Sequence, residues 1–269
     1  MKLDAGQVAV VTGGASGIGL ALGHRFGRAG MAVVLADVEA AALDAAASEL
    51  SDAGVDVTAI QCDVTSMDAV TAMADEAFAW RGHVDVVCNN AGVVAFGGAL
   101  DSLDDWRWVI DVDLWGVVHG CHAFIPRMVE SGRPGHVVNT ASTAGLLGFP
   151  AIASYVAAKH AVVGMTQTMH FELEPTEVAV SVLCPGVVST NITTSHRNRP
   201  GTDPNTVEKQ PFGEGIAEAM TPDEVADVVA EAIDADRFWI LPHEHYGAQA
   251  LELAQRRVDG LPPIHGQLR

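Results

Sequence analysis

Three observations predict an α/β domain in which helices cover both faces of a parallel sheet. Short apolar runs alternate with Ala-rich amphipathic segments along the chain, which is the pattern of repeated βαβ units. A glycine-rich turn, TGGASGIG at 12–19, separates the first apolar run from the first amphipathic segment. With 269 residues, 49% of them hydrophobic, the chain is long enough to bury one large core.

The elements follow in order. Gln7–Thr12 reads as a first strand, Gly17–Ala29 as a helix and Ala32–Ala36 as a second strand. Glu39–Ala53 is a helix, Val55–Gln61 a third strand, and Ser66–Trp80 a helix with Ser66 as its cap. Val84–Cys88 is a fourth strand. Asp104 to Glu130 is helical, in two pieces, with Pro126 kinking the later one. Gly135–Ala141 is the fifth strand, Ser154–Glu174 a helix and Val178–Leu183 the sixth strand. Pro222–Ala235 is a helix behind Thr221, which suits an N-cap followed by proline at the first helical position. Phe238–Leu241 is a short seventh strand. No repeat or compositional break divides the chain, so 1–269 is expected to form one domain. Residues 190–219, rich in Pro and Gly and without periodicity, suit a substrate lid better than a disordered loop. Residues 243–269 form a C-terminal extension.

A net charge of −19 disfavours nucleic acid and anionic membrane surfaces, which recruit positive charge. No apolar run approaches the ~18–20 residues that span a bilayer, and no signal-like segment opens the chain. The four cysteines, Cys62, Cys88, Cys121 and Cys184, have neither disulfide nor zinc spacing, so a reducing, cytoplasmic setting is expected. His243 and His245 flank Glu244, but no third ligand accompanies them and no metal site is expected.

Two clusters carry chemistry. In the first, Gly13, Gly17 and Gly19 permit a tight turn at a helix N-terminus able to hold a pyrophosphate, with Ser16 and Ile18 between them. The spacing, Gly-x-x-x-Gly-x-Gly, differs from the common dinucleotide fingerprint. Asp37, after AVVLA, suits the two hydroxyls of an adenosine ribose and repels a 2′-phosphate; the alternative is a helix cap. Ser16 stands where a Lys or Arg would meet that phosphate, so NAD is favoured over NADP. Asp63, with Val64 beside it, ends the third strand near an adenine. Asn89, Asn90, Ala91 and Gly92 close the fourth strand, suiting strand bracing and ribose contact.

In the second cluster, Tyr155 and Lys159 are four residues apart on one helix face, ~5–6 Å between Cβ atoms. Ser142 arrives from a strand end. An adjacent ammonium lowers a phenol's pKa, and a useful base near neutrality needs a drop of ~2–3 pH units from ~10. The lysine together with a cationic cofactor is expected to supply it. Taken alone, Tyr-x-x-x-Lys is a common coincidence on helix surfaces; its surroundings decide.

With TGGASGIG, the CDV at 62–64, NNAG at 89–92, Ser142, YVAAK at 155–159 and PGVVST at 185–190, the chain resembles the short-chain dehydrogenase/reductase family over nearly its whole length. The resemblance implies a single Rossmann-like, doubly wound domain with seven parallel strands, usually a homotetramer, with a homodimer as the alternative. It implies that Tyr155 is the general acid/base, that Ser142 fixes the substrate oxygen, and that Lys159 binds the nicotinamide ribose. Hydride moves between an alcohol or ketone carbon and the nicotinamide, whose carboxamide meets the Val188–Thr190 stretch, with Pro185 and Gly186 shaping the turn. The family commonly has asparagine where this chain has Asp113. An aspartate there either stays protonated by burial or adds negative charge beside Lys159. The proton relay is expected to persist, because its water is held by backbone.

Expected substrate walls are Val94, Phe96, Ala144, Leu146–Phe149 including Phe149, and Phe212 or Met220 from the lid, beside Ser142 and Tyr155. Trp106, Trp108 and Trp115 are assigned to core or interface. The apolar walls favour an uncharged, hydrophobic secondary alcohol or ketone, although His196, Arg197 and Arg199 offer cations for an anionic group. The alternatives are an NADPH-dependent carbonyl reductase and a dinucleotide-sensing protein without turnover.

Overall fold

A computed structural model describes residues 1–100, 102–203 and 219–266. Seven strands form one sheet in the order β3-β2-β1-β4-β5-β6-β7, and every pairing is parallel. They are β1 (Val8–Thr12), β2 (Ala32–Asp37), β3 (Val57–Gln61), β4 (Val86–Asn89), β5 (Gly135–Thr140), β6 (Val178–Leu183) and β7 (Trp239–Ile240). The helices between them are α1 (Gly17–Arg28), α2 (Ala40–Asp52), α3 (Met67–Arg81), α4 (Leu103–Ile110), α5 (Gly116–Ser131), α6 (Ala153–Leu173), α7 (Pro222–Asp234) and α8 (Glu244–Val258). No helix among the described residues is long and apolar enough to cross a membrane.

Alternate strand residues feed opposite faces, as the two-residue period requires. Val8, Val10, Val34 and Ala36 pack with Met73 and Ala77 of α3 and Phe124 and Met128 of α5. Ala9, Val11, Val33 and Leu35 pack with Leu22 and Phe26 of α1, Leu50 of α2 and Val229 and Ile233 of α7. Two expected caps form: Ser66 Oγ accepts from Ala69 N–H, and Thr221 makes a reciprocal capping box with Glu224.

The structure departs from the sequence reading in three places. The irregularity in the central helices is a π-helical turn at Asp111–Trp115, and α5 runs on through Pro126. The C-terminal extension contains α8, which sequence missed because Tyr246 is its one buried residue and its remaining apolar residues, such as Leu251 and Val258, are exposed rather than gathered on a core face. Within the segment after Thr190, Asn191–Asn198 forms 3-10 turns. Its two ends are tied where Ser189 N–H donates to Met220 O at 2.9 Å.

One buried strand residue predicts a pH response. His136 on β5 is fully buried, with Nε2 2.6 Å from Ser181 Oγ, whose own hydroxyl donates to Arg237 O at 2.8 Å. With the serine proton committed, Nε2 must carry the imidazole hydrogen. Burial holds the His136 pKa down at about 4, against 6.5 unfolded. The unfolded chain therefore takes up a proton first, and stability falls as pH drops from 6.5 to about 4. At ~1.36 kcal/mol per pH unit the loss reaches about 3 kcal/mol. Urea unfolding across that range should show this loss, and His136→Gln should flatten it.

Candidate active site

Ligands in open parallel sheets bind beyond the carboxyl ends of the strands, where the strand order reverses. Here that point lies between β1 and β4, and a cleft of about 960 Å³ opens over it. The glycine turn forms its floor. Gly13 and Gly17 have φ of 64° and 54°, and a Cβ on Gly19 would lie 2.1 Å from Gly13 O, so that position accepts no side chain. Thr12 Oγ1 accepts from Asn90 N–H (2.9 Å) and Ala91 N–H (3.1 Å), while Asn90 Nδ2 donates to Thr12 O (3.0 Å). These bonds brace the NNAG strand end against β1.

Asp37 ends β2 at the cleft rim. Its Oδ2 accepts from Ala15 N–H (3.1 Å) and its Oδ1 from Glu39 N–H (3.0 Å), which leaves oxygen lone pairs toward the cleft. It does not cap α2, whose N-cap position is Glu39. Burial raises its pKa, with the two backbone bonds pulling the other way. Asp63 and Val64 line the same end, and Asp63 Oδ1 is held by the Thr65 backbone N–H (2.9 Å) and hydroxyl (2.8 Å).

At the other end the structure gathers Ser142, Tyr155 and Lys159. Ser142 Oγ accepts from Ala144 N–H (3.1 Å) and donates to Pro185 O (3.3 Å). Lys159 is buried, and its Nζ donates to Thr140 O (3.0 Å) and lies 5.4 Å from the Tyr155 ring centre. The π-helical turn carries Asp113 inward to the same ammonium. Asp113 is fully buried, accepts from Val93 N–H through Oδ1 (2.8 Å), and places Oδ2 3.2 Å from Lys159 Nζ.

This pair shapes the charge balance of the site. Burial raises the Asp113 pKa, opposed by Lys159, while Asp113 and Tyr155 hold the Lys159 pKa above 10.5 despite burial. The Tyr155 phenol is pushed up rather than down, chiefly by burial, with Asp113 adding to it and Lys159 and Ser142 opposing. Lys159 by itself opposes that rise without outweighing burial.

Of the expected cofactor residues, Gly13, Ser16, Gly17, Ile18, Asn90, Ala91, Gly92, Pro185, Gly186, Val188 and Thr190 border the cleft. Val94, Phe96, Ala144 and Phe149, expected as substrate walls, add apolar lining to the same cleft. Phe212 lies outside the described residues. Leu147 is in the core. Trp108, assigned from sequence to core or interface, lines the cleft, and so does His265 from the C-terminal tail, where Gly266 N–H donates to Gly148 O (2.8 Å). The helical period hid Trp108, and no local signal pointed to a strand-like contact at His265. Arg197 and Arg199 are not free cations: Arg197 Nη2 meets Glu39 Oε1 at 2.5 Å and Arg199 Nη1 meets Asp105 Oδ1 at 2.5 Å.

The family model described as short chain dehydrogenase matches residues 7–201. The chain belongs to that family. Among short-chain dehydrogenases, 1-deoxy-11-beta-hydroxypentalenate dehydrogenase of Streptomyces avermitilis is 44% identical over 240 residues, covering 87% of this chain and 83% of the relative. The crystal structure of a short-chain dehydrogenase/reductase from Burkholderia phymatum in complex with NAD is 36% identical, covers 99% of both chains and superposes with a TM-score of 0.91. An actinorhodin polyketide ketoreductase variant with NADPH is 32% identical, with a TM-score of 0.77 over 87% of this chain and 95% of that one.

Short-chain dehydrogenases bind a nicotinamide dinucleotide, and this cleft fits one. A Cβ on Gly17 would lie 3.0 Å from Thr190 Cγ2, so the 185–190 turn closes across the glycine turn where a pyrophosphate would run. The protein is therefore an oxidoreductase.

Proposed function

We propose that the chain is an NAD-dependent dehydrogenase of hydrophobic, uncharged secondary alcohols, working reversibly on the matching ketones. The observation that carries this reading is the Asp37 carboxylate at the adenosine end of the cleft that holds Ser142, Tyr155 and Lys159 at its other end. A carboxylate there accepts from ribose hydroxyls and repels a 2′-phosphate. Gly13, Ser16, Gly17, Ile18 and Gly19 would hold the pyrophosphate, Asp63 and Val64 the adenine, and Asn90, Ala91 and Gly92 the ribose side. Pro185, Gly186, Val188 and Thr190 would receive the nicotinamide. The bound dinucleotide supplies the hydride acceptor.

This chain's own residues orient the alcohol and take its proton. Ser142 Oγ hydrogen-bonds the substrate oxygen. Tyr155 accepts the hydroxyl proton at Oη as the C–H bond breaks, and returns it in the reverse direction. Lys159 stabilises the phenolate and holds the ribose, while Asp113 fixes Lys159. Val94, Phe96, Ala144, Phe149 and Trp108 exclude water from the substrate end. The segment from Thr190 acts as a lid, and the exposed Trp115 and Leu103 suit a face between copies of the chain in a homotetramer or homodimer.

A panel of secondary alcohols assayed with NAD and NADP, following absorbance of the reduced nicotinamide, tests this. Turnover with NAD at least ~10-fold more efficient than with NADP is expected, a difference of ~1.4 kcal/mol. Preference for NADP would overturn the role given to Asp37. Asp37→Ser should narrow the preference mainly by weakening NAD. Binding of either dinucleotide without turnover on any alcohol or ketone would favour a sensing protein.

A further inference from the structure

His243 has no role in the chemistry above, yet it is wired to the turn expected to receive the nicotinamide. It is half-buried at the N-cap of α8. Gly186 N–H donates to its Nδ1 at 3.0 Å, and its Nε2 lies 3.1 Å from Val187 O. A donor facing Nδ1 requires that nitrogen to be bare, and a carbonyl facing Nε2 requires that nitrogen to carry hydrogen. Only one of the three forms of imidazole, the neutral Nε2–H tautomer, satisfies both contacts.

The turn it grips is anchored on its other side to the reaction centre. Pro185 O accepts from Thr143 N–H (2.9 Å) and from Ser142 Oγ (3.3 Å), and Val187 O also accepts from Met220 N–H (3.2 Å). The packing leaves no slack: a Cβ on Gly186 would lie 2.5 Å from the Tyr246 ring and 3.1 Å from His243 Cγ. Rotation of the 185–186 or the 187–188 peptide therefore requires His243 to release it.

We propose that His243 is a positioning residue of the dinucleotide site, holding the 185–188 turn, as its neutral Nε2–H tautomer, in the orientation that receives the nicotinamide end of the cofactor. This rests on the reading of the cleft given under Proposed function. Protonation places a hydrogen on Nδ1 against Gly186 N–H, setting two donors face to face and losing one end of the clamp. The titratable groups around the ring are His245 and Tyr246 of α8, with ring centres each 6.1 Å away, and the exposed Glu244. On the turn side the ring meets backbone. Burial, with His245 adding to it, holds the His243 pKa below 6.5 against the pull of Val187 O. The clamp is thus intact near neutrality and is lost as pH falls through the His243 pKa.

Calorimetric titration of NAD and NADP into the wild type, His243→Phe and His243→Asn, between about pH 8 and about pH 5, tests this. Phenylalanine keeps ring volume but loses both bonds, so affinity roughly tenfold weaker across the range is expected. Asparagine offers an oxygen close to the Nδ1 position that does not titrate. It should bind within a few-fold of wild type near neutrality and lack the wild type's additional loss in acid. Should the Phe variant fail to fold by circular dichroism, the difference in pH slope between wild type and Asn variant decides alone. Wild type and variants with the same affinity and slope would overturn the positioning role while leaving the site reading intact. A wild type that binds neither dinucleotide would overturn both.

Discussion

Tyr155→Phe is expected to lower kcat for alcohol oxidation by roughly 10²–10⁴-fold, the usual contribution of a positioned acid/base, equivalent to ~3–5 kcal/mol of barrier. The change removes one oxygen atom. The ring remains on α6, and Lys159 keeps its contacts with Thr140 O and Asp113, neither of which involves the phenol oxygen. Dinucleotide affinity should therefore stay within a few-fold of wild type, so the loss falls on kcat rather than on cofactor binding. Burial raises the Tyr155 pKa in the protein as it stands, so oxidation by the wild type should climb with pH on the alkaline side, where the phenolate becomes available. The sign follows from which form works: oxidation needs the deprotonated phenol and gains with rising pH, and ketone reduction needs the protonated phenol and gains with falling pH. Stopped-flow measurement of the hydride step in both directions, with titration of the reduced cofactor by fluorescence, checks all of this. A Phe variant retaining a tenth or more of wild-type kcat would remove Tyr155 from the chemistry.

The strands were legible because Val-rich runs such as 8–12 and 178–183 lie in a sheet covered on both faces, and the glycine turn because close backbone approach at Gly19 excludes a side chain. The positions of Asp37, Ser142, Tyr155 and Lys159 at strand ends and on one helix face followed from the same periods. What stayed hidden depends on three-dimensional placement. The one-residue expansion of the π-helical turn, which aims Asp113 at Lys159, leaves no trace in composition. His265 reaches the cleft, and His243 the Gly186–Val187 turn, from a C-terminal segment whose helix buries a single tyrosine, too little for an amphipathic pattern. Trp108 packs on a small core cluster that includes Val109 and also lines the cleft, a double role that helical period does not separate. Spacing likewise cannot report how deeply Tyr155 is buried or that Lys159 has a second partner in Asp113, the two features that hold the phenol pKa up.

That second partner gives the other large expected effect. Asp113→Asn should keep substantial activity, lower stability by about 3 kcal/mol and move the pH profile of oxidation to lower pH. Asparagine is isosteric but presents one acceptor where the carboxylate presents two, and two donors converge on it: Val93 N–H at Oδ1 and Lys159 Nζ at Oδ2. Whichever way the amide turns, one donor faces an NH₂ group. Removing one member of a fully buried ion pair costs ~3–5 kcal/mol, and the retained acceptor together with Thr140 O places the loss at the low end. At ~2–4 °C per kcal/mol for a chain of this size, Tm should fall by roughly 6–12 °C. The chemistry moves in the opposite sense. Asp113 raises the pKa of both Lys159 and Tyr155, so its neutralisation lets the Lys159 charge act on the phenol and lowers the Tyr155 pKa. The ascending limb of kcat against pH then shifts toward acid, and the variant is relatively best below the wild-type optimum. Calorimetric melting and pH profiles of both proteins separate the two effects. Loss of most activity at every pH would mean that the carboxylate itself takes part in proton transfer. An unshifted profile would mean that Asp113 is already neutral in the wild type, with burial outweighing the attraction of Lys159.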